Sequence, residues 1–216
     1  MVIIPPYLKK GDSIGITCPA GIMPFQKMQT CIQTLQDWGF TVKTGETVRS
    51  KSLNYFSGTD DERLHDLQMM LDDQSVKAIL FGRGGYGTSR IVDDIDFKIF
   101  KKSPKWLLGY SDITVLHAHL FSVIRTASMH CNMAAAFNDG GKDTAAVQAI
   151  RLALQGKAAK YSTLPGTFCR EGKATGELVG GNLSLLVHLT GTRSAYSYKN
   201  KILFIEDVGE YLYGID

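Results

Sequence analysis

The tetrapeptide Gly109-Tyr110-Ser111-Asp112 stands between the apolar run Trp106-Leu107-Leu108 and a stretch that reads as helix from Ile113 to Ile124. A serine at such a strand-to-helix turn lifts its hydroxyl above the edge of a sheet. Backbone N–H groups gather beside it, and the helix dipole favours an oxyanion forming there. The chemistry would be acyl transfer, with Ser111 attacking a carbonyl. Only the G-x-S half of a nucleophile elbow is present, because Ile113 occupies the place of the second glycine. On the pattern alone, helix capping by Ser111 is the competing explanation.

A second glycine-rich turn, Gly82-Arg83-Gly84-Gly85-Tyr86-Gly87, follows the apolar run Val76–Phe81. Formally it matches the dinucleotide fingerprint G-x-G-x-x-G. It follows the third strand of the chain rather than the first, and the next strand ends in Tyr110-Ser111-Asp112 instead of a separate acid for a ribose. A Walker loop is excluded, since no Gly-Lys-Ser/Thr follows. Three readings remain: a nucleotide-binding turn, an oxyanion hole facing Ser111 from a neighbouring strand, and a plain tight turn. Ile202-Leu203-Phe204-Ile205 ends in Glu206 and Asp207. Strand-end acids are usually solvated, and Glu206 gains interest only where a neighbouring group needs orienting.

The five histidines offer no evident base for Ser111. His65 has polar neighbours on a capped helix and reads as surface, and His188 reads as packed within its helix. His117 and His119 fall beyond Ser111 on the following helix, pointing away from it if the helix is regular. His130, in Ser128-Met129-His130-Cys131, stands at another strand end and could line the same crevice.

The elements that must position these residues alternate. Ser13–Cys18, Phe40–Lys43, Val76–Phe81 and Trp106–Tyr110 read as strands; Phe25–Trp38, Thr59–Leu71, Thr88–Asp94 and Ile113–Ile124 read as helices. Thr59-Asp60-Asp61-Glu62 is a capping box, and Gly45–Gly58 reads as a loop. This is an α/β pattern, a mostly parallel sheet flanked by helices with sites at the carboxyl ends of its strands. Gly156–Gly172 is rich in small and turn-forming residues. We divide the chain into an α/β domain over residues 1–156, a linker over 157–172, and the start of a second, smaller α/β domain over 173–216. In that last part Gly176–Asn182 and Lys201–Asp207 read as strands around the helical run Leu183–Leu189.

Composition bounds the function. The 216 residues carry a net charge of +3, with lysine and arginine scattered, so neither nucleic acid nor an anionic membrane is indicated as partner. Cys18, Cys31, Cys131 and Cys169 form no C-x-x-C pair and no zinc-like cluster. There is no basic leader and no stretch of transmembrane length, which points to a reduced, cytoplasmic protein.

Six motifs, taken in order, resemble the L,D-carboxypeptidase family of serine peptidases. They are Tyr55-Phe56-Ser57-Gly58-Thr59-Asp60-Asp61-Glu62-Arg63, Gly82–Gly87, Gly109–Asp112, His130-Cys131-Asn132-Met133, Gly180-Gly181-Asn182-Leu183 and Phe204-Ile205-Glu206-Asp207-Val208. The resemblance implies a Ser-His-Glu triad. Ser111 is its serine and Glu206 its glutamate, and the backbone N–H groups of Gly85 and Asp112 form the oxyanion hole. It places the histidine well downstream of the glutamate, past Asp216, so residues 1–216 alone are expected to lack turnover. Tyr86 and His130 are candidates to contact substrate. The implied substrate is a small peptide, either a murein tetrapeptide losing its terminal D-alanine during peptidoglycan recycling or a peptide-nucleotide antibiotic. No metal or organic cofactor is implied, and a homodimer is compatible. Cys131-Asn132 departs from the Gly-Pro that many members carry after the histidine. Two rival classes stay open: a nucleotide binder using Gly82–Gly87, and a non-enzymatic binder of cell-wall peptides.

Overall fold

The computed structural model of the chain describes residues 1–138, 141–158 and 170–215. Most of the expected linker therefore lies outside the described residues. Five short runs of β-branched and apolar residues form one sheet: β1 (Ser13–Thr17), β2 (Thr41–Thr44), β3 (Val76–Phe81), β4 (Trp106–Gly109) and β5 (Met129–His130). Their order is β2-β1-β3-β4-β5 and every pairing is parallel. Strand order reverses between β1 and β3, and the loops leaving their carboxyl ends diverge there to open a crevice.

Burial on both faces accounts for the continuous apolar runs. Along β3 and β4, Ile79, Phe81 and Leu107 join a core on one face, whereas Ala78, Leu80, Trp106 and Leu108 join a core on the other. Helices α1 (Gln29–Asp37), α2 (Asp60–Asp72), α3 (Lys98–Lys102), α4 (Thr114–His119) and α5 (Ala145–Leu154) cover them. Leu67 and Leu71 of α2 and Leu116 of α4 enter the first core; Leu35 of α1 and Ile150 of α5 enter the second. The capping box at Thr59 closes with both of its hydrogen bonds.

Three helices differ from the sequence expectation, the first being that over Phe25–Trp38, which opens as a 3-10 turn (Phe25–Met28) before α1. Thr88–Asp94 forms two short 3-10 turns, Thr88–Arg90 and Val92–Asp94. The Thr88 amide and hydroxyl both donate to Asp112, and Arg90 pairs with Asp60, so tertiary partners hold this stretch out of a regular helix. The helix after Ser111 is α-helical only to His119; Leu120–Ile124 widens into a π turn that ends at Arg125 with φ +59°.

The second sheet pairs β6 (Glu177–Asn182) with β7 (Lys201–Glu206) in parallel, connected through α6 (Leu183–His188). Among the described residues this part builds no separate core: Val179, Leu186, Leu189 and Tyr196 pack into the first-face core around α4. Along β7, Leu203, Phe204 and Ile205 remain exposed. Among the described residues no helix is long and apolar enough to cross a membrane.

Candidate active site

Ser111 sits immediately beyond β4 with φ +60°, one of three non-glycine residues with positive φ among the described residues. Left-handed backbone costs an L-residue about 1 kcal/mol or more. It bends the chain so that Ser111 leaves the strand and enters the first turn of helix, as the elbow reading requires. Ser111 does not cap that helix with its side chain, because Tyr110 holds the N-cap position and no side-chain cap is made. Among the described residues the Ser111 hydroxyl has no hydrogen-bond partner, and it faces a cleft of about 530 Å³.

The glycine turn after β3 lies against this hydroxyl. A methyl group at Gly84 would stand 3.2 Å from Ser111 Oγ and 3.1 Å from its Cβ, tighter than ordinary contact. Gly85 has φ +108°, and a side chain there would collide with the Tyr55 hydroxyl. Among the described residues the Gly85 N–H has no backbone acceptor. Asp112 lies in the first helical turn, where N–H groups lack intrahelical acceptors. An amide on each side of the serine is the arrangement that stabilises a tetrahedral oxyanion. It suits pyrophosphate less well, since the glycine turn opens onto 3-10 turns rather than a long helix with a full dipole.

Two buried charges fix the turn. Arg63, on the first turn of α2, is fully buried. It donates to the carbonyl oxygens of Gly87 at 3.0 Å, Gly58 at 3.3 Å and Pro19, and pairs with Asp60. One guanidinium thereby ties together the loops after β1 and β3 and the segment before α2. From the other side Asp112 Oδ2 accepts from the Thr88 amide at 2.9 Å and from its hydroxyl, while Oδ1 has no partner. Burial raises the Asp112 carboxyl above its ordinary range, and the Thr88 hydrogen bonds partly oppose this. The Gly21 N–H closes the loop set by donating to the Gly84 oxygen at 3.2 Å.

Glu206 reaches this region through β6. The register pairs Asn182 with Glu206, and the Asn182 N–H donates to Thr114 Oγ1 at 3.0 Å. Thr114 is three residues beyond Ser111, so the end of β7 stands one strand away from the elbow helix. Val208, two residues past Glu206, lines the Ser111 cleft. Glu206 itself lines an adjoining hollow with Asp207 and Leu183. Burial raises its carboxyl above the ordinary range; a hydrogen bond from Asn182 opposes that, and the Asp207 charge adds to it. One carboxyl oxygen, Oε1, is buried without a partner among the described residues.

The other candidates stand further off. Tyr86 is exposed, packs against Phe56 and interacts with Arg90 on the outer rim. His130 packs edge-on to Tyr110 and Phe204 and lines a separate apolar groove with His117. His117 folds back beneath the strand: its Nε2–H donates to the Gly109 oxygen at 2.9 Å, and burial pushes the imidazole down to about 4. His188 is exposed rather than packed. No histidine among the described residues lines the Ser111 cleft. Burial pushes the thiols of Cys18 and Cys131 up to about 12, which disfavours the nucleophilic thiolate. Arg63, Thr114 and Asn182 have roles that periodicity alone does not reveal, although Arg63 and Asn182 fall within the motifs quoted for the resemblance.

The parallel sheet sets Ser111, with its positive φ, beside the glycine turn at the neighbouring ends of β4 and β3. Residues 14–131 match the LD-carboxypeptidase N-terminal domain and residues 175–216 the LD-carboxypeptidase C-terminal domain, so the chain belongs to the LD-carboxypeptidase family. It is 39% identical to the probable murein peptide carboxypeptidase of Bacillus subtilis, over 98% of this chain and 67% of that protein. It is 26% identical to the murein tetrapeptide carboxypeptidase of Pseudomonas aeruginosa, over 94% of this chain and 68% of that one. Among solved structures, the muramoyltetrapeptide carboxypeptidase from Oxalobacter formigenes matches with a TM-score of 0.78 at 28% identity, over 94% and 68% of the two chains. An MccF-like protein from Bacillus anthracis matches with a TM-score of 0.79 at 26% identity, over 95% and 70%.

Proposed function

We propose that this protein is a serine-type peptidase that hydrolyses an L,D peptide bond and releases C-terminal D-alanine from a murein tetrapeptide, in the cytoplasm, during peptidoglycan recycling. The observation that carries this reading is Ser111, held at φ +60° against the Gly84–Gly85 turn with its hydroxyl unpartnered among the described residues. Ser111 attacks the scissile carbonyl, and the N–H groups of Gly85 and Asp112 receive the oxyanion. A histidine takes the serine proton and returns it to the leaving amine, with Glu206 orienting the imidazole and balancing its charge. The family resemblance supplies that histidine from sequence C-terminal to Asp216. The murein-peptide names of the Bacillus and Pseudomonas relatives support the substrate.

The test is release of the C-terminal alanine from L-Ala-D-Glu-meso-diaminopimelate-D-Ala and from its all-L analogue, using the protein in a form that includes the histidine-bearing segment. Selective cleavage of the D-terminated peptide is expected. Equal cleavage overturns the stereochemical assignment, and inactivity on both favours an antibiotic peptide as substrate. Glu206→Gln keeps a partner for Asn182 and is expected to preserve the fold while cutting turnover by orders of magnitude.

A further inference from the structure

The Ser111 cleft carries positive charge that the acyl-transfer chemistry does not use. Arg83, inside the glycine turn, is exposed and lines the cleft, as does Lys27 from the stretch leading into α1. No acidic side chain lines it among the described residues. The nearby arginines are committed elsewhere: Arg63 to three carbonyls and Asp60, Arg90 to Asp60. Arg83 makes one anchoring bond, from Nη1 to the Ile22 oxygen at 2.8 Å. That bond ties the guanidinium to the loop after β1. Its remaining N–H groups have no hydrogen-bond partner among the described residues and are free to take a ligand.

Position gives this charge a meaning. Arg83 is the neighbour of Gly84, which touches Ser111. When a peptidase removes one terminal residue, the free carboxylate lies a single residue beyond the scissile carbonyl, about 3.8 Å along the chain. A cation that recognises that carboxylate must share the nucleophile's cleft, and Arg83 and Ser111 line the same one. An anchored guanidinium matches a carboxylate with two parallel hydrogen bonds, which an ammonium cannot do. A mid-chain peptide bond offers only a neutral amide at that place and leaves the arginine unsatisfied.

We propose that Arg83, assisted at longer range by Lys27, binds the C-terminal carboxylate of the peptide and so restricts the site to chain ends. This rests on the reading of the cleft as a carboxypeptidase site. The experiment measures binding by calorimetry in a Ser111→Ala background of the intact protein, with the tetrapeptide as free acid and as C-terminal carboxamide. The acid is expected to bind roughly tenfold to hundredfold more tightly. Arg83→Gln should abolish that preference while leaving carboxamide binding unchanged, and Arg83→Lys should restore only part of it. Lys27→Met should reduce it by a smaller factor that shrinks further as salt is raised. Equal binding of acid and carboxamide overturns the inference alone. Weakening of both ligands alike by Arg83→Gln also overturns it, since a purely structural role would act that way. Absence of binding by either peptide overturns the substrate reading and this inference together.

Discussion

Arg63→Met removes the guanidinium at the junction of three loops while keeping an unbranched side chain of similar length. In the parent, fully buried Arg63 satisfies the oxygens of Pro19, Gly58 and Gly87 and pairs with Asp60. Each buried acceptor left unpaired costs roughly 1–3 kcal/mol. Relief from burying a charge offsets part of this, so the net loss is on the order of 3–5 kcal/mol, as for other broken buried charge networks. For a chain of this size each kcal/mol shifts the melting temperature by about 2–4 °C, and a fall of roughly 10 °C is expected by circular dichroism. Arg63→Lys should recover less than half, because one ammonium cannot span three separated carbonyls. Asp60→Asn should cost less than either, since Asp60 is partly exposed and the carbonyls keep their donor. A melting temperature for Arg63→Met within about 2 °C of the parent would refute the reasoning, showing that water or loop movement replaces the guanidinium.

Because Ser111 holds φ +60°, Ser111→Gly and Ser111→Ala are both expected to lack turnover, with the glycine variant about 1 kcal/mol the more stable in urea; the reverse order would argue against backbone strain at the elbow. Burial holds His117 and His119 at about 4 against an ordinary 6.5. The unfolded chain therefore binds protons there that the folded chain refuses, so stability is fully present above pH 6.5 and is lost as pH falls through the window toward 4. Urea midpoints at pH 7 and pH 5 check this, and an unchanged difference in His117→Gln/His119→Gln would count against it.

The fold was legible where local rules act alone. Alternating apolar runs and turns marked the parallel sheet, and Thr59 with Glu62 marked the start of α2. The glycine turn and Gly109–Asp112 marked the candidate site, because glycines and a strand-to-helix serine leave a signature within a few residues. Helix α5 was not read from the sequence, although its Thr144 cap and Val147, Ile150 and Leu154 share one face. Arg63 was not legible: three residues into a charged helix start it looks like an ordinary surface residue. It is buried only because loops ending at Pro19, Gly58 and Gly87 bring their carbonyls to it. Thr88–Asp94 reads as helix until the Asp112 carboxylate takes the Thr88 amide. The meeting of Asn182 with Thr114, which carries Glu206 toward the elbow, joins residues 68 apart and leaves no periodic trace.

The central claim is that Ser111 is the nucleophile, and covalent labelling tests it most directly. A fluorophosphonate probe is applied to a form of the protein that includes the proposed histidine, and the adduct is mapped by peptide mass spectrometry. A single adduct on the peptide containing Ser111, absent in Ser111→Ala and much slower to form in Glu206→Gln, is the expected result. Labelling that persists in Ser111→Ala, or that maps to another residue, would contradict the account.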